Sequence, residues 1–266
     1  MLFPNGRWLM CWPKYFDVSY EINPWMKVTY KPSAKQAWTQ WQRLHHTIIK
    51  LGGWVDYIEP IPNQPDMVFT ANGGLIRGKR CILSHFRYKE RMGEEPAFKN
   101  WFLEQGYDVR EIECSFEGEG DALFMGQKLF TGYGFRSDKE AENLIRDFLE
   151  VTEVIPLQLV DPYFYHLDTC FCPINERQAL CATMAFSPES LAVLKSKAQL
   201  IEVPLDEAKQ FACNAVVLGS SIVIPAGCPE TCANLKKAGL EPYEVELTEF
   251  IKSGGAAKCL TLKLQN

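Results

Sequence analysis

Five times along this chain a short apolar run turns through polar or glycine residues into a second apolar run, and this recurrence constrains the fold more than any single motif. Met67-Val68-Phe69 passes through Asn72-Gly73-Gly74 and Arg77-Gly78-Lys79-Arg80 into Cys81-Ile82-Leu83. Ala122-Leu123-Phe124 turns at Gly126-Gln127-Lys128 into Leu129-Phe130-Thr131, and Cys170-Phe171-Cys172-Pro173 turns at Asn175-Glu176-Arg177-Gln178 into Ala179-Leu180-Cys181. Ala215-Val216-Val217-Leu218 turns at Gly219-Ser220-Ser221 into Ile222-Val223-Ile224. The fifth unit is split: Lys258 to Leu264 is a lone terminal strand whose natural partner is the lone starting strand Gly6 to Trp12. Amphipathic segments lie between the hairpins. Ala34 to Leu51 places Trp38, Trp41, Leu44 and Ile48 on one face, Glu140 to Leu149 groups Ala141, Leu144, Ile145 and Phe148, and Pro188 to Leu194 follows the same rule. The period of roughly 45–50 residues, a hairpin and a helix in each, predicts an α/β propeller of five pseudosymmetric blades, the last completed by the chain's two ends. Such closure leaves no exposed sheet edge and gathers loops around a central channel. An open α/β sheet is the alternative, since short hairpins also recur by chance. No linker rich in Pro, Gly or Ser divides the chain, so residues 1–266 read as a single domain.

The charge balance narrows the partners. With 28 basic and 33 acidic side chains the net charge is -5, which argues against binding nucleic acid or anionic lipid, both driven by a strong positive field. No run approaches the roughly 20 apolar residues of a membrane helix, and Asn5, Gly6 and Arg7 interrupt the start in a way unlike a signal peptide. A cytoplasmic protein is expected, with a small-molecule ligand; whether it forms a homo-oligomer is left open. The ten cysteines lie mostly in apolar runs, as reduced buried cysteine does, and are too sparse for a disulfide framework. Structural zinc is disfavoured, because Cys170 and Cys172 read as alternate positions of a strand and Cys228-x3-Cys232 lacks a matching pair. Neither metal nor organic cofactor is called for.

Of four histidines, His45 and His46 fall within a helix and His85 follows a strand end. His166 differs: it opens the third hairpin two positions before Asp168, and on a strand those two side chains would share a face. Taken alone, a structural histidine is the better reading. Three further segments change the balance. Phe116-Glu117-Gly118-Glu119-Gly120-Asp121 packs carboxylates between glycines, where backbone can approach a ligand closely; Asp66-Met67-Val68-Phe69-Thr70-Ala71-Asn72 opens the first hairpin; and Ser253-Gly254-Gly255-Ala256-Ala257-Lys258-Cys259 ends a small-residue loop in a cysteine unlike the other nine. A lone cysteine with a distant histidine and carboxylate is the composition of a thiolate nucleophile, an acid/base and an orienting acid.

These strings, with His166-Leu-Asp168, Cys213-Asn-Ala-Val and Gly254-Gly-Ala-Ala-Lys-Cys259, resemble in order the guanidino-group-modifying (amidinotransferase, or pentein) superfamily, which includes arginine deiminases, dimethylarginine dimethylaminohydrolases, agmatine deiminases and glycine amidinotransferases. The resemblance spans about residue 5 to residue 264 and implies a five-bladed pentein ring with Cys259, His166 and Glu117 as catalytic cysteine, histidine and acid. The spacing from Glu117 to Asp121 departs from the superfamily's habit, so Glu119 stands as the alternative acid. The resemblance also implies a guanidinium-binding Asp168, carboxylate-binding Arg91 and Arg136, and substrate contacts from Asp66 and from Asn23, the last on a loop placed to close over the pocket. Without it, Arg91 and Arg136 would read as solvated surface charges.

Asn72 is the sharpest departure. Arginine and methylarginine hydrolases commonly carry aspartate there, whereas asparagine after Phe69-Thr70-Ala71, with Ile22-Asn23-Pro24-Trp25-Met26 earlier, resembles arginine dihydrolases, including the amino-terminal module of cyanobacterial bifunctional enzymes. An amide can donate or accept and so could retain a neutral ureido intermediate that a carboxylate binds poorly. The resemblance therefore implies conversion of L-arginine to ornithine, two ammonia and carbon dioxide. The alternatives are a deiminase that stops at citrulline, a methylarginine hydrolase and, in a different class, a non-catalytic ring like that of a ribosome-assembly factor.

Overall fold

Tight turns at Gly78-Lys79, Gly126-Gln127 and Gly219-Ser220 join strands Gly74–Arg77 to Arg80–Leu83, Ala122–Met125 to Lys128–Tyr133, and Val216–Leu218 to Ser221–Pro225. Each turn begins with a glycine at φ of +60 to +62°, the left-handed position that matches a two-residue loop to strand twist. The third hairpin, Phe171–Pro173 with Gln178–Cys181, has a longer loop in which the Asn175 side chain accepts from Arg177 N and Gln178 N, both at 2.9 Å. The structure, a computed structural model, describes residues 5–264; positions 1–4 and 265–266 of the single-domain reading lie outside the described residues.

Every hairpin is antiparallel, and its second strand continues through a helix into a third strand that pairs with it in parallel. Parallel neighbours need a long crossover, and the helices Glu95–Glu104, Ala141–Leu149, Pro188–Lys197 and Pro229–Lys237 supply it. The third strands are Asp108–Arg110, Glu153–Gln158, Gln199–Glu202 and Glu241–Val245. They are additions to the expected two-strand units. Sequences such as Asp108-Val-Arg110 and Gln199-Leu-Ile-Glu202 are largely half-buried or exposed, so no apolar alternation marks them.

The fifth sheet closes the ring from both ends of the chain: Leu262–Lys263 pairs antiparallel with Arg7–Met10, which pairs in parallel with Trp54–Tyr57 across the helix Ala34–Lys50. The expected closing blade is thus observed, but its last strand is shorter than Lys258 to Leu264. Lys258 to Thr261 form a turn, with Thr261 N bonded to Lys258 O at 2.9 Å. Ser33 caps the long helix through Gln36 N, and Ala37, Gln40, Trp41, Leu44 and Ile48 form its buried face. Trp38, expected on that face, is 41% exposed and stacks on Trp41, because its position lies off the buried stripe.

Apolar clusters fill the seams between neighbouring blades. Leu75 and Ile82 meet Ala122 and Leu129; Leu123 and Phe130 meet Phe171 and Leu180, which meet Ala215 and Ile222; Val216 and Val223 meet Trp8 and Met10; and Leu9 and Leu262 meet Ile76 and Cys81. The order of contacts returns to its start, giving the five-bladed α/β propeller. No helix among the described residues is long and apolar enough to cross a membrane.

One seam leaves no room for a side chain. Gly118 has φ +58°, and a Cβ there would lie 2.7 Å from Gly74 O and 2.8 Å from Ala71 O on the adjoining blade. Gly118→Ala is expected to destabilise the fold by about 2 kcal/mol or more, read as a lower urea midpoint at unchanged slope. An unaltered midpoint would mean that the two turns are not held rigidly together.

Candidate active site

Chemistry-bearing side chains stand one to three residues ahead of the innermost strand of every blade: Asn72, Asp121, Asp168, Asn214 and Cys259. The segments carrying them are short turns rather than strands, three of them 3-10 turns at Thr70–Gly73, Gly118–Gly120 and Leu167–Thr169. This corrects the expected geometry of His166 and Asp168. They do not share a strand face: His166 is extended and Asp168 is inside the following turn, so they reach different partners. The glycines around Glu119 also act differently from expectation. They bring one turn against another, since a Cβ on Gly120 would lie 2.2 Å from Asn72 Nδ2.

His166 Nε2 lies 2.8 Å from Glu117 Oε2, and Arg136 Nη1 donates to the same oxygen at 3.0 Å. Burial alone would raise the Glu117 carboxyl, but the Arg136 guanidinium and the His166 hydrogen bond hold it well below the usual carboxylate range. Glu119, the alternative acid, points elsewhere. Its Oε2 accepts from Lys258 Nζ at 2.7 Å and Lys263 N at 2.9 Å, tying the second blade to the closing one. Asp121 accepts from Ser137 Oγ at 2.6 Å and Leu167 N at 3.0 Å, fixing the backbone beside His166; burial pushes its carboxyl up to about 6.

Cys259 sits in the turn before the closing strand, 2% exposed. Its Sγ donates to Asp168 Oδ2 at 3.1 Å and accepts from Asn214 Nδ2 at 3.0 Å. Burial, followed by the Asp168 charge, raises the thiol well above its ordinary value, so the free site holds a thiol. Burial likewise pushes Asp168 up to about 7, against the opposing effect of Lys258. Among the described residues, Asp168 Oδ1 and His166 Nδ1 are buried atoms with no hydrogen-bond partner in the protein. One is a carboxyl oxygen and the other a ring nitrogen, and each has hydrogen-bonding capacity that the protein itself leaves unused.

The other expected substrate-binding residues, Arg91, Asn72, Arg136, Asp66 and Asn23, are bonded to partners within the protein. Arg91 is buried in a bidentate pair with Glu94, Nε to Oε1 and Nη2 to Oε2 both at 2.8 Å, and stacks over Phe86. Its Nη1 donates to Asn72 Oδ1 at 2.8 Å, while Asn72 Nδ2 donates to Glu117 O at 3.2 Å. Arg136 lies between the rings of Tyr88 and Tyr165 and donates to Ile22 O at 3.0 Å. Both arginines, expected as carboxylate anchors, are therefore engaged by protein acids, Glu94 and Glu117. Asp66 accepts from Tyr20 Oη at 2.9 Å and Ser253 Oγ at 3.0 Å; burial raises it, opposed chiefly by Arg91. Asn23 caps its own turn by accepting from Trp25 N and Met26 N, and donates to Ser253 O at 3.0 Å, so the segment around Tyr20 to Met26 is fastened across the loop that leads to Cys259. Sequence reasoning assigned no role to Glu94, Tyr20 or Asn214. Glu94 carried a signal in its spacing from Arg91, since i and i+3 meet on one helical turn.

The family profile described as N,N dimethylarginine dimethylhydrolase, eukaryotic, matches residues 13–266. The chain is 46% identical to the bifunctional arginine dihydrolase/ornithine cyclodeaminase ArgZ of Synechocystis, over 97% of this chain and 37% of ArgZ. It is 41% identical to the N(G),N(G)-dimethylarginine dimethylaminohydrolase of Mycobacterium tuberculosis, over 97% of this chain and 85% of that protein. The backbone matches a crystal structure of the N-terminal domain of ArgZ, a cysteine-to-serine variant bound to substrate, with a TM-score of 0.95 and 44% identity over 98% of both chains. This chain thus spans little more than a third of the length of ArgZ.

The Asp168 carboxyl makes stability depend on pH in a defined direction. Raised from 3.8 to about 7, it keeps its proton in the folded chain at pH values where the unfolded chain has lost it. Its contribution is therefore full below the unfolded value and is lost as pH rises through about 7. Asp168→Asn, which removes this penalty, is expected to gain on the order of 5 °C in Tm at pH 8 relative to its effect at pH 5. A Tm difference that is flat between those pH values would show that Asp168 is ionised in the free protein.

Proposed function

The chain belongs to the N,N dimethylarginine dimethylhydrolase family, and from that membership we propose that residues 1–266 form one catalytic domain hydrolysing L-arginine twice, to L-ornithine, two ammonia and carbon dioxide. The substrate cation enters beside Asp168 and Asp66, whose charges its guanidinium compensates. Its positive charge also lowers the Cys259 thiol, because the thiol is held up by burial and by the Asp168 carboxylate next to it. Cys259 Sγ bonds to the guanidinium carbon, the thiol proton passes to the site's bases, and one C–N bond breaks as His166 protonates the departing ammonia. Glu117 supports the imidazolium that forms in the cycle, through its 2.8 Å contact with Nε2. Water activated by His166 then adds to the thiouronium carbon, the C–S bond breaks, and citrulline is held in place.

A second attack by Sγ at the ureido carbon releases the second ammonia and leaves an S-linked carbamoyl. Water cleaves it to the carbamate of ornithine, which loses carbon dioxide. Neither cycle requires a metal or an organic cofactor. Arg91 and Arg136 bind the substrate carboxylate with guanidinium donors that Glu94 and Glu117 leave free, and Asn23 holds the covering segment.

The observation that carries the dihydrolase reading is the orientation of Asn72. Arg91 occupies its Oδ1 and the Glu117 carbonyl takes one Nδ2 hydrogen, which leaves the other amide hydrogen as a donor suited to a neutral ureido oxygen. Homology to ArgZ supports the same reading. The 41% identity to the mycobacterial protein favours a second one, hydrolysis of methylated arginine.

Product analysis tests these readings together. Purified protein given arginine should form ornithine with two ammonia per turnover, and N,N-dimethylarginine should be turned over at least tenfold more slowly. Citrulline accumulating to one equivalent without ornithine would sink the dihydrolase reading, and release of dimethylamine at a comparable rate would establish the methylarginine reading. Asn72→Asp should divert product toward citrulline, and Cys259→Ser should abolish turnover; activity retained by the serine variant would remove Cys259 as the nucleophile.

A further inference from the structure

Four blades deliver residues already assigned to the chemistry; the remaining one, beginning at Val216, delivers Asn214, which nothing above assigns. Its side chain is fully buried and has every hydrogen-bonding position filled. Oδ1 accepts from Cys259 N and Ala256 N, both at 3.1 Å, and Nδ2 donates to Asp168 O at 3.0 Å and to Cys259 Sγ at 3.0 Å. The two backbone donors on Oδ1 fix which end of the amide faces the sulfur, because a flipped amide would set its NH2 group against two N–H groups. The Asn214 carbonyl also accepts from Lys258 N at 3.2 Å, so one residue holds the turn at Ala256, at Lys258 and at Cys259 itself.

We propose that Asn214 is a catalytic residue that supplies a fixed hydrogen-bond donor to the Cys259 sulfur, stabilising its anion while locking the turn that presents it. The inference rests on Cys259 as the nucleophile, and it adds the group that makes a thiolate tolerable in a buried, acidic site. Among the described residues, Asn214 Nδ2 is the side-chain donor that contacts Sγ, whereas the Asp168 carboxylate on the other side opposes the anion. The donor acts twice in each hydrolytic cycle. It stabilises the anion that attacks carbon, and it receives the anion again when the C–S bond breaks and the electron pair returns to sulfur. In the covalent stages sulfur carries no full charge and the bond weakens, so the interaction favours the sulfur anion over the bound intermediates and promotes departure of the group at each hydrolysis.

Asn214→Asp tests this with little change of shape. It retains acceptors for Cys259 N and Ala256 N but replaces the donor facing Sγ with an anionic oxygen. The pH dependence of Cys259 alkylation by iodoacetamide, located by peptide mass spectrometry, should move upward by at least one pH unit. On arginine, kcat should fall at least 100-fold with KM changed less than threefold. Asn214→Ser, smaller and uncharged, should shift the alkylation profile in the same direction by less, and it serves as the reading if the aspartate variant does not fold. An alkylation profile unchanged in a folded variant, or a loss confined to KM, would overturn the proposal. Because the thiol titration needs no substrate, it stands apart from the product assay: a shifted titration with citrulline as the product would leave Asn214 in its role and remove only the dihydrolase reading.

Discussion

Two residue pairs close the ring. Among the described residues, Trp8 opposite Lys263 and Leu9 opposite Leu262 form the antiparallel ladder between the first and last strands, and the turn that carries Cys259 hangs from it. So short a ladder contributes little by itself, since strand pairing depends on side-chain packing on its faces. Here Leu9, Leu262 and Leu264 are buried against the first hairpin blade, while Trp8 and Leu260 join the cluster that includes the last hairpin. Side-chain hydrogen bonds reinforce the joint from both sides. Tyr107 Oη donates to Leu264 O at 3.1 Å, Glu119 takes Lys258 Nζ and Lys263 N, and the Cys259 carbonyl accepts from Ala71 N at 3.1 Å. Cys259 is therefore positioned by the neighbouring blades more than by its own strand. That is a consequence of building a site at the centre of a closed ring, where every blade's first turn touches the next.

The site is also arranged as a balance of buried charges. Arg91 compensates Glu94, and Arg136 compensates Glu117, in pairs whose members are all at most 3% exposed. Pairs of this kind roughly break even in stability, because desolvation consumes the Coulombic gain, but removing one member leaves an expensive isolated charge. They are better understood as a rigid frame. Arg91 fixes Asn72 and Arg136 fixes Glu117, which in turn faces His166. Among the described residues, the Asp66 and Asp168 carboxyl groups have no such guanidinium partner at hydrogen-bonding distance, and burial raises both. On the proposed reading this acidity is what receives the substrate cation, while the paired charges hold the geometry of the site.

The ring and its closure were legible in the sequence because inner hairpins are buried on both faces and announce themselves as apolar runs broken by glycine turns. The third strand of each blade was not legible: segments such as Asp108-Val-Arg110 are held by crossover helices and carry no pattern of their own. In the site, residue identities were easier to read than geometry. His166 and Asp168 were placed on one strand face by a period-of-two argument, whereas a 3-10 turn sends one to Glu117 and the other to Cys259. The choice between Glu117 and Glu119 lay beyond sequence spacing, because the chain turns at Gly118, φ +58°, and the two carboxylates reach different partners, His166 and Arg136 for one and Lys258 and Lys263 N for the other. Asn214 was part of a recognised string, but an amide whose partners are mostly backbone groups leaves no spacing signature.

The amide at position 72 follows from the same balance of charge. A carboxylate there would face Arg91, but Glu94 already neutralises that guanidinium with two 2.8 Å contacts, so the added charge would be buried with little compensation. A cationic guanidinium could offset it. A ureido group could not, because in the proposed reaction the first hydrolysis removes the positive charge and leaves a neutral polar group among Asp66, Asp168 and any further acid. Each additional buried carboxylate would then favour release of that intermediate over a second attack. With Asn72 neutral and its Oδ1 taken by Arg91, no further carboxylate is added to Asp66 and Asp168 when the ligand loses its charge, and on the proposed reading this limits the penalty of holding a neutral intermediate for a second hydrolysis.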